Sequence, residues 1–136
     1  MGWFFGKKKG QRTVLVADDD VVIRGLLGNL LESQGWRVVE AADGAQAVRI
    51  AASEVPDLIL LDVNMPQLTG PECIANIRKD PRLKDVPIIM CSAQDRFDTV
   101  EQCLSLGARD YIVKPFEMKA VLAKIAKVLP PPPATP

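Results

Sequence analysis

Acidic, hydroxyl and ammonium side chains directly follow the apolar segments of this sequence. They are the acidic triplet Asp18–Asp20, Asp62, Ser92 and Lys114. Carboxylates that gather at one place repel each other unless a cation lies among them, and the hard cation Mg²⁺ prefers oxygen ligands. A carboxylate beside Mg²⁺ can attack a phosphoryl group and form an acyl phosphate. A lysine ammonium and a serine hydroxyl are suited to contact the phosphoryl oxygens, so these residue types predict phosphoryl chemistry.

Strand and helix patterns alternate five times along the chain, and this alternation determines where the polar residues lie. The strand patterns cover residues 13–17, 37–41, 57–62, 86–93 and 110–114. The helix patterns cover residues 21–35, 43–53, 71–79, 96–107 and 117–129. The strands are continuous valine, isoleucine and leucine runs, which indicate a sheet covered on both faces. We therefore predict an α/β fold with a doubly wound, five-stranded parallel sheet. The polar residues then meet at the carboxyl edge of the sheet, where such folds bind ligands.

The helix patterns also predict which residues face the core and which cap the helices. The first helix should bury one stripe, Val22, Ile23, Leu26, Leu27, Leu30 and Leu31, and end at Gly35. The last helix should bury Met118, Val121, Leu122, Ile125, Val128 and Leu129, with Lys119, Lys124 and Lys127 in solvent. For Asp20 we favour an N-cap over a metal ligand, and Asp43 and Asp95 are interpreted as turn or cap residues.

The composition excludes several classes of function. The 136 residues suffice for one domain, and no apolar run approaches the ~20 residues of a membrane-spanning helix. No signal peptide is visible, so we expect a cytoplasmic protein. Without any histidine, the chain lacks histidine-based catalysis, most zinc chemistry and a phosphohistidine of its own. The three cysteines form no CxxC pair and are interpreted as buried thiols.

The two ends of the chain differ from the predicted domain, which covers residues 13–129. Residues 1–12 contain four basic and no acidic side chains (+4), and the remaining 13 basic and 17 acidic side chains give −4. The acidic body argues against nucleic-acid binding. We expect the basic, aromatic leader 1–12 to be flexible, with membrane contact as a less favoured alternative. The proline-rich tail 130–136 should be extended and solvated.

Four motifs in this order resemble the receiver domains of two-component response regulators, from about Thr13 to Leu129. The motifs are VLVADDD, LILLDVNMPQLTG, IIMCSA and GARDYIVKPF. The resemblance implies a flavodoxin-like (βα)5 fold with strand order 2-1-3-4-5. It also implies a signal-transduction phosphoprotein that forms an aspartyl phosphate.

The resemblance implies roles for individual residues. Asp62 resembles the phosphorylated aspartate. Mg²⁺, or alternatively Mn²⁺, would be held by Asp19, Asp62 and the Asn64 backbone carbonyl, with Asp18 acting through water. The residues that contact the phosphoryl group or switch with it would be Ser92, Lys114 and Tyr111. Asn64 and Gln94 occupy the positions that tune the lifetime of the phosphoryl group. The Lys114–Pro115 peptide bond is typically cis in this family.

The resemblance also implies how the protein would act. A histidine kinase or a phosphotransfer protein would donate the phosphoryl group. A phosphorelay is one setting in which this transfer would occur. The fourth helix, fifth strand and fifth helix would then change and be recognised by a downstream protein. No substrate turnover is expected beyond self-phosphorylation and autodephosphorylation, and we expect a monomer, with dimerisation on activation left open.

Four alternative interpretations are weighed against a stand-alone receiver. We favour a stand-alone receiver over a receiver fragment of a longer regulator, and over a degenerate receiver that only scaffolds. An aspartate-nucleophile phosphatase is disfavoured because Asn64 stands where such enzymes need an acidic residue. A nucleotide-binding loop is disfavoured because the sequence lacks GxxxxGK[ST].

Overall fold

A five-stranded parallel sheet forms the centre of the protein. The computed structural model describes residues 10–93 and 97–129, together with the backbone of residues 3–4 and 7–8. The sheet strands are β1 (Thr13–Ala17), β2 (Arg37–Ala41), β3 (Leu58–Asp62), β4 (Ile88–Ala93) and β5 (Asp110–Lys114). Their order is β2-β1-β3-β4-β5, and every pairing is parallel. The predicted fold class and strand order are confirmed.

Five helices cover the two faces of this sheet. They are α1 (Val21–Ser33), α2 (Gly44–Glu54), α3 (Gly70–Arg78), α4 (Phe97–Ser105) and α5 (Met118–Val128). The sequence patterns did not predict a short 3-10 helix at Pro81–Leu83, since three residues are too few to show a period. Among the described residues, no helix is long and apolar enough to cross a membrane.

The sheet separates two apolar clusters because side chains alternate along each strand. Helices α2, α3 and α4 bury Ala47, Ala51, Ile74, Ile77, Val100 and Cys103 against one face of the sheet. Helices α1 and α5 bury Leu27, Leu31, Val121 and Ile125 against the other face. We call these halves the three-helix side and the two-helix side.

The apolar stripe predicted for α1 is partly wrong. Val22 is 65% exposed and Leu26 is 49% exposed, whereas Leu27, Gly28 and Leu31 are buried. A Cβ on Gly28 would lie 3.6 Å from Val38 Cγ1, an ordinary van der Waals distance, so α1 packs closely against β2 at this position. The contact line is therefore centred on Leu27 and Leu31, and it leaves Val22 and Leu26 in solvent.

Lys124 of α5 was also predicted incorrectly. Its side chain is half-buried, and Nζ lies 2.9 Å from Asp110 Oδ1 and 5.3 Å from the centroid of the Tyr111 ring. A carboxylate and an aromatic ring at the sheet edge thus draw this lysine inward. Lys119 and Lys127 are exposed as predicted.

The leader contains a short ribbon that the sequence patterns did not predict. Backbone residues Trp3–Phe4 pair antiparallel with Lys7–Lys8 in a two-stranded ribbon. The flexibility predicted for the leader stays a prediction. The predictions for Gln94, Asp95 and the tail 130–136 concern residues outside the described part of the chain.

Candidate functional site

Two neighbouring strands end in buried carboxylates at the same edge of the sheet. Asp18 follows β1 and Asp62 ends β3, and the register pairs Ala17 with Leu61, so the two acids are adjacent. Asp18 is 1% exposed and Asp62 is 6% exposed. Asp19 is exposed beside them, and carboxylate oxygens of all three aspartates lie within 4.8 Å of one another. The strand-end argument thus correctly places these carboxylates together.

The Lys114 ammonium lies among these carboxylates. Its Nζ donates a hydrogen bond to Asp18 Oδ2 at 2.8 Å and is 3.5 Å from Asp62 Oδ1. Burial lowers the pKa of Lys114, but the hydrogen bond to Asp18 and the negative charge of Asp62 outweigh burial and raise the pKa overall. The lysine is therefore charged at neutral pH and partly balances the carboxylates.

The surroundings of the Asp62 carboxyl raise its pKa. Burial and then the charge of Asp18 raise its pKa from 3.8 to about 6, despite opposing effects of Lys114 and the Asn64 backbone N–H. Among the described residues, one ammonium beside three carboxylates leaves unbalanced negative charge. This oxygen-rich, under-neutralised set fits a hard divalent cation such as Mg²⁺.

Local backbone contacts hold the acidic loop in place. Asp18 Oδ1 accepts the Asp20 N–H at 2.9 Å, and Asp20 caps α1 by accepting the N–H groups of Val22 and Ile23. Arg24 donates to the Asp18 carbonyl at 2.7 Å and pairs with Glu40. The N-cap predictions for Asp20 and Asp43 are confirmed. Arg24 was not singled out from the sequence, because no local pattern signals a bond to the backbone six residues earlier.

The loop after β3 is fixed at both of its ends. The Asn64 N–H donates to Asp62 Oδ1 at 3.3 Å, and Asn64 itself is exposed at the rim. At the other end, Thr69 and Glu72 form a capping box at the start of α3. The spacing Thr-x-x-Glu before an apolar run is the signal that would have predicted this box.

Ser92 and Tyr111 lie on the same face of the sheet. The register pairs Met90 with Tyr111, and Ser92 is two residues beyond Met90 on β4. Ser92 is buried, and its hydroxyl donates to the Ala93 carbonyl at 2.9 Å. The Tyr111 ring packs against the three-helix side. The Lys114–Pro115 peptide bond is cis, as expected from the resemblance. Gln94 lies outside the described residues.

Comparisons with known proteins agree with this geometry. The family model described as the response regulator receiver domain matches residues 14–126. The chain is 37% identical over 118 residues to the phosphate regulon transcriptional regulatory protein PhoB of Pseudomonas aeruginosa. That match covers 87% of this chain and 52% of the relative. The chain thus spans about half the length of the curated relatives it matches.

Two solved structures match almost along their whole length. The chemotaxis protein CheY4 of Vibrio cholerae has a TM-score of 0.82 and 33% identity, covering 88% of this chain and 99% of that one. The receiver domain of the sensor histidine kinase PA1611 of P. aeruginosa, with a magnesium ion coordinated in its active-site cleft, has a TM-score of 0.79 and 33% identity. That match covers 86% of this chain and 96% of the other. By fold, acidic site and family match, this chain belongs to the response regulator receiver domains of two-component systems.

Proposed function

We propose that the protein accepts a phosphoryl group on Asp62 and thereby switches a surface that a partner protein recognises. The observation that carries this proposal is the buried Asp62 carboxylate, which has Asp18 and Asp19 on one side and the Lys114 ammonium 3.5 Å away. A structural ion pair would need one acid and one base. The excess of acids supports a site that binds a cation and a phosphoryl group.

Asp62 is the proposed nucleophile. A carboxylate oxygen of Asp62 attacks phosphorus, the bond from phosphorus to the donor's leaving group breaks, and an acyl phosphate remains on Asp62. With a pKa of about 6, the carboxyl is mostly ionised at neutral pH. The Lys114 ammonium, which lies closer to Asp18 than to Asp62, is suited to move onto the incoming phosphoryl oxygens.

Mg²⁺ is the proposed cofactor, with Mn²⁺ as an alternative. The carboxylates of Asp19 and Asp62 and the Asn64 carbonyl would hold it, and Asp18 would act through water. Bound there, the ion would supply positive charge next to the reacting phosphoryl oxygens. The magnesium reported in the cleft of the PA1611 receiver, at 33% identity, supports this assignment.

Ser92 and Tyr111 are the proposed switch. In the present conformation the Ser92 hydroxyl is bound to the neighbouring Ala93 carbonyl, so it must rotate to meet a phosphoryl group on Asp62. Tyr111 shares its face of the sheet and can follow into the vacated space. These movements would shift the equilibrium between two conformations of the surface formed by α4, β5 and α5. We propose that a downstream protein recognises this surface. The positions of Asn64 and Gln94 are proposed to set the lifetime of the phosphoryl group.

A group of exposed apolar residues lies directly beside the acids. Val21, Val22 and Leu26 at the start of α1 are 67%, 65% and 49% exposed. An exposed apolar group of this kind marks an interaction surface, and it begins two residues after Asp19. We propose that a histidine kinase or phosphotransfer protein binds there when it delivers the phosphoryl group.

The test is the intact mass of the protein after incubation with Mg²⁺ and acetyl phosphate. One phosphoryl adduct is expected on the parent chain. The control variant Asp57→Asn should gain the same adduct, because the exposed Asp57 carboxylate lies at the opposite edge of the sheet, where it accepts the Thr13 N–H. No adduct is expected on Asp62→Asn or when Mg²⁺ is chelated. A folded parent chain that gains no adduct would refute the proposal and favour the alternative of a phosphorylation-independent scaffold.

A further inference from the structure

An apolar groove lies at the edge of the sheet opposite the carboxylates. It is formed where the chain enters β1 and β2, by the end of α1 and by the last turns of α5, and it encloses about 310 Å³. The residues that line it are Gly10, Gln11, Arg12, Gln34, Gly35, Trp36, Leu122, Ile125, Ala126 and Leu129. None of them belongs to the proposed phosphoacceptor site.

Trp36 gives this groove its chemical character. Its half-buried ring packs against the two-helix cluster, and the Arg12 guanidinium lies 6.0 Å from the ring centroid. Gln11 Nε2 donates to the Gly35 carbonyl at 3.1 Å and fixes the loop before Trp36. An aromatic ring beside aliphatic side chains is the surface that proline-rich segments recognise in the polyproline II conformation.

The residue that precedes a proline-rich segment of the same chain lies at the wall of this groove. Leu129 lines the groove and has φ −144° and ψ 102°, so the chain leaves α5 in an extended conformation. Residues 130–136, PPPPATP, contain five prolines and no charged side chain. In polyproline II geometry seven residues span roughly 22 Å. Prolines lose little conformational entropy on binding, and tethering raises the effective concentration to about the millimolar range.

The leader is less suited to the groove than this tail. Its residues 3–4 and 7–8 already pair with each other. It also carries Lys7, Lys8 and Lys9, whose ammonium groups would lose hydration in an apolar groove. The tail has no charged side chain and meets no such cost.

We propose that the Trp36 groove binds the proline-rich segment 130–136 of its own chain, with prolines packed on the Trp36 ring. This inference does not depend on phosphorylation of Asp62. It assigns a role to a segment that the proposed function leaves without one, and it identifies the groove as a polyproline-binding surface.

Trp36 fluorescence tests this proposal in the full-length chain. A Trp3→Phe background leaves Trp36 as the only tryptophan. In that background, Pro131→Gly, Pro132→Gly and Pro133→Gly together should shift the emission to longer wavelength and raise the acrylamide quenching constant of Trp36 at least twofold. The matched control carries Phe4→Ser and Phe5→Ser in the leader and should leave quenching unchanged. Circular dichroism and urea unfolding establish that both variants fold.

Three results would overturn the proposal. Unchanged quenching in the folded glycine variant would mean that the tail does not cover Trp36. An increase in the leader variant, alone or as large as in the glycine variant, would make the leader the occupant. If the difference in quenching between the parent chain and the glycine variant disappears when both proteins are diluted, the tail of a second copy occupies the groove.

Discussion

Replacing Asp62 with asparagine should stabilise the metal-free protein at neutral pH, even though it removes the proposed phosphoacceptor. The folded protein buries this carboxyl to 6% exposure next to Asp18, which raises its pKa from 3.8 to about 6. The unfolded chain ionises Asp62 at its ordinary pKa. The folded state therefore resists ionisation, and the parent loses stability as the pH rises from about 4 to about 6.

The size of this loss follows from the shift in the pKa. Each pKa unit corresponds to about 1.4 kcal/mol, so ionising Asp62 in the folded protein costs about 3 kcal/mol above pH 6. Asparagine keeps an oxygen that can accept the Asn64 N–H and carries no charge. Asp62→Asn should therefore raise the free energy of unfolding by up to about 3 kcal/mol at pH 7.5 and by almost nothing at pH 4.

Urea unfolding in the presence of a chelator, between pH 4 and pH 8, measures this difference. The matched control is Asp20→Asn, which removes an exposed carboxylate from the same rim and keeps an N-cap residue. Its effect should stay within about 0.5 kcal/mol at every pH. A stabilisation by Asp62→Asn that does not grow with pH, or that equals the control, would refute the electrostatic reasoning. Saturating Mg²⁺ should reduce the stabilisation, since the cation offsets the same repulsion.

Other predictions concern packing, thiol reactivity and the half-buried lysine. Gly44→Ala should destabilise the fold by about 2 kcal/mol or more, because its Cβ would lie 2.6 Å from Leu68 Cβ and 2.8 Å from Cys73 Sγ. Gly25 lies within α1, and a Cβ added there would have no neighbour within 4 Å. Gly25→Ala should therefore raise the free energy of unfolding by up to about 1 kcal/mol. Urea unfolding distinguishes this gain from the loss expected for Gly44→Ala. Lys124→Met should cost about 0.5–1.5 kcal/mol by urea unfolding, because it removes an ion pair and a ring contact; no loss would show that these contacts are unimportant. Burial raises the thiol pKa to about 12 for Cys73 and Cys91 and to about 11 for Cys103. Ellman's reagent at pH 7.5 should therefore react with these thiols only after the protein unfolds.

The sequence predicted the sheet well because each strand is a run of β-branched and aliphatic residues bounded by polar ones. Residues 13–17, 37–41 and 110–114 begin and end as predicted. The pattern at 86–93 started two residues early, since Pro87 cannot donate to the ladder and the strand begins at Ile88. Strand ends then predicted that Asp18 and Asp62 would meet.

Helix faces and partner choice were harder to predict. Apolar residues occur around much of α1, so the sequence does not determine which of them face the sheet; in the structure Leu27 and Leu31 do. Lys114 lies 96 residues from Asp18 in sequence. The strand-end rule brought it to the right edge, but only the packed structure shows that it is closer to Asp18 than to Asp62.

The division of the core by the sheet has a consequence for how such a protein can diversify. Ser92 and Tyr111 lie on the three-helix side, whereas the exposed apolar residues of α1 and the Trp36 groove belong to the two-helix side. Substitutions of the exposed apolar residues of α1 can therefore change the proposed donor contact without repacking Ser92 and Tyr111, the proposed switch residues. Helix α5 differs, because it lines the Trp36 groove and also belongs to the proposed response surface. The specificity for a phosphodonor and the packing of the switch residues can thus evolve almost independently, because one layer of sheet separates α1 from Ser92 and Tyr111.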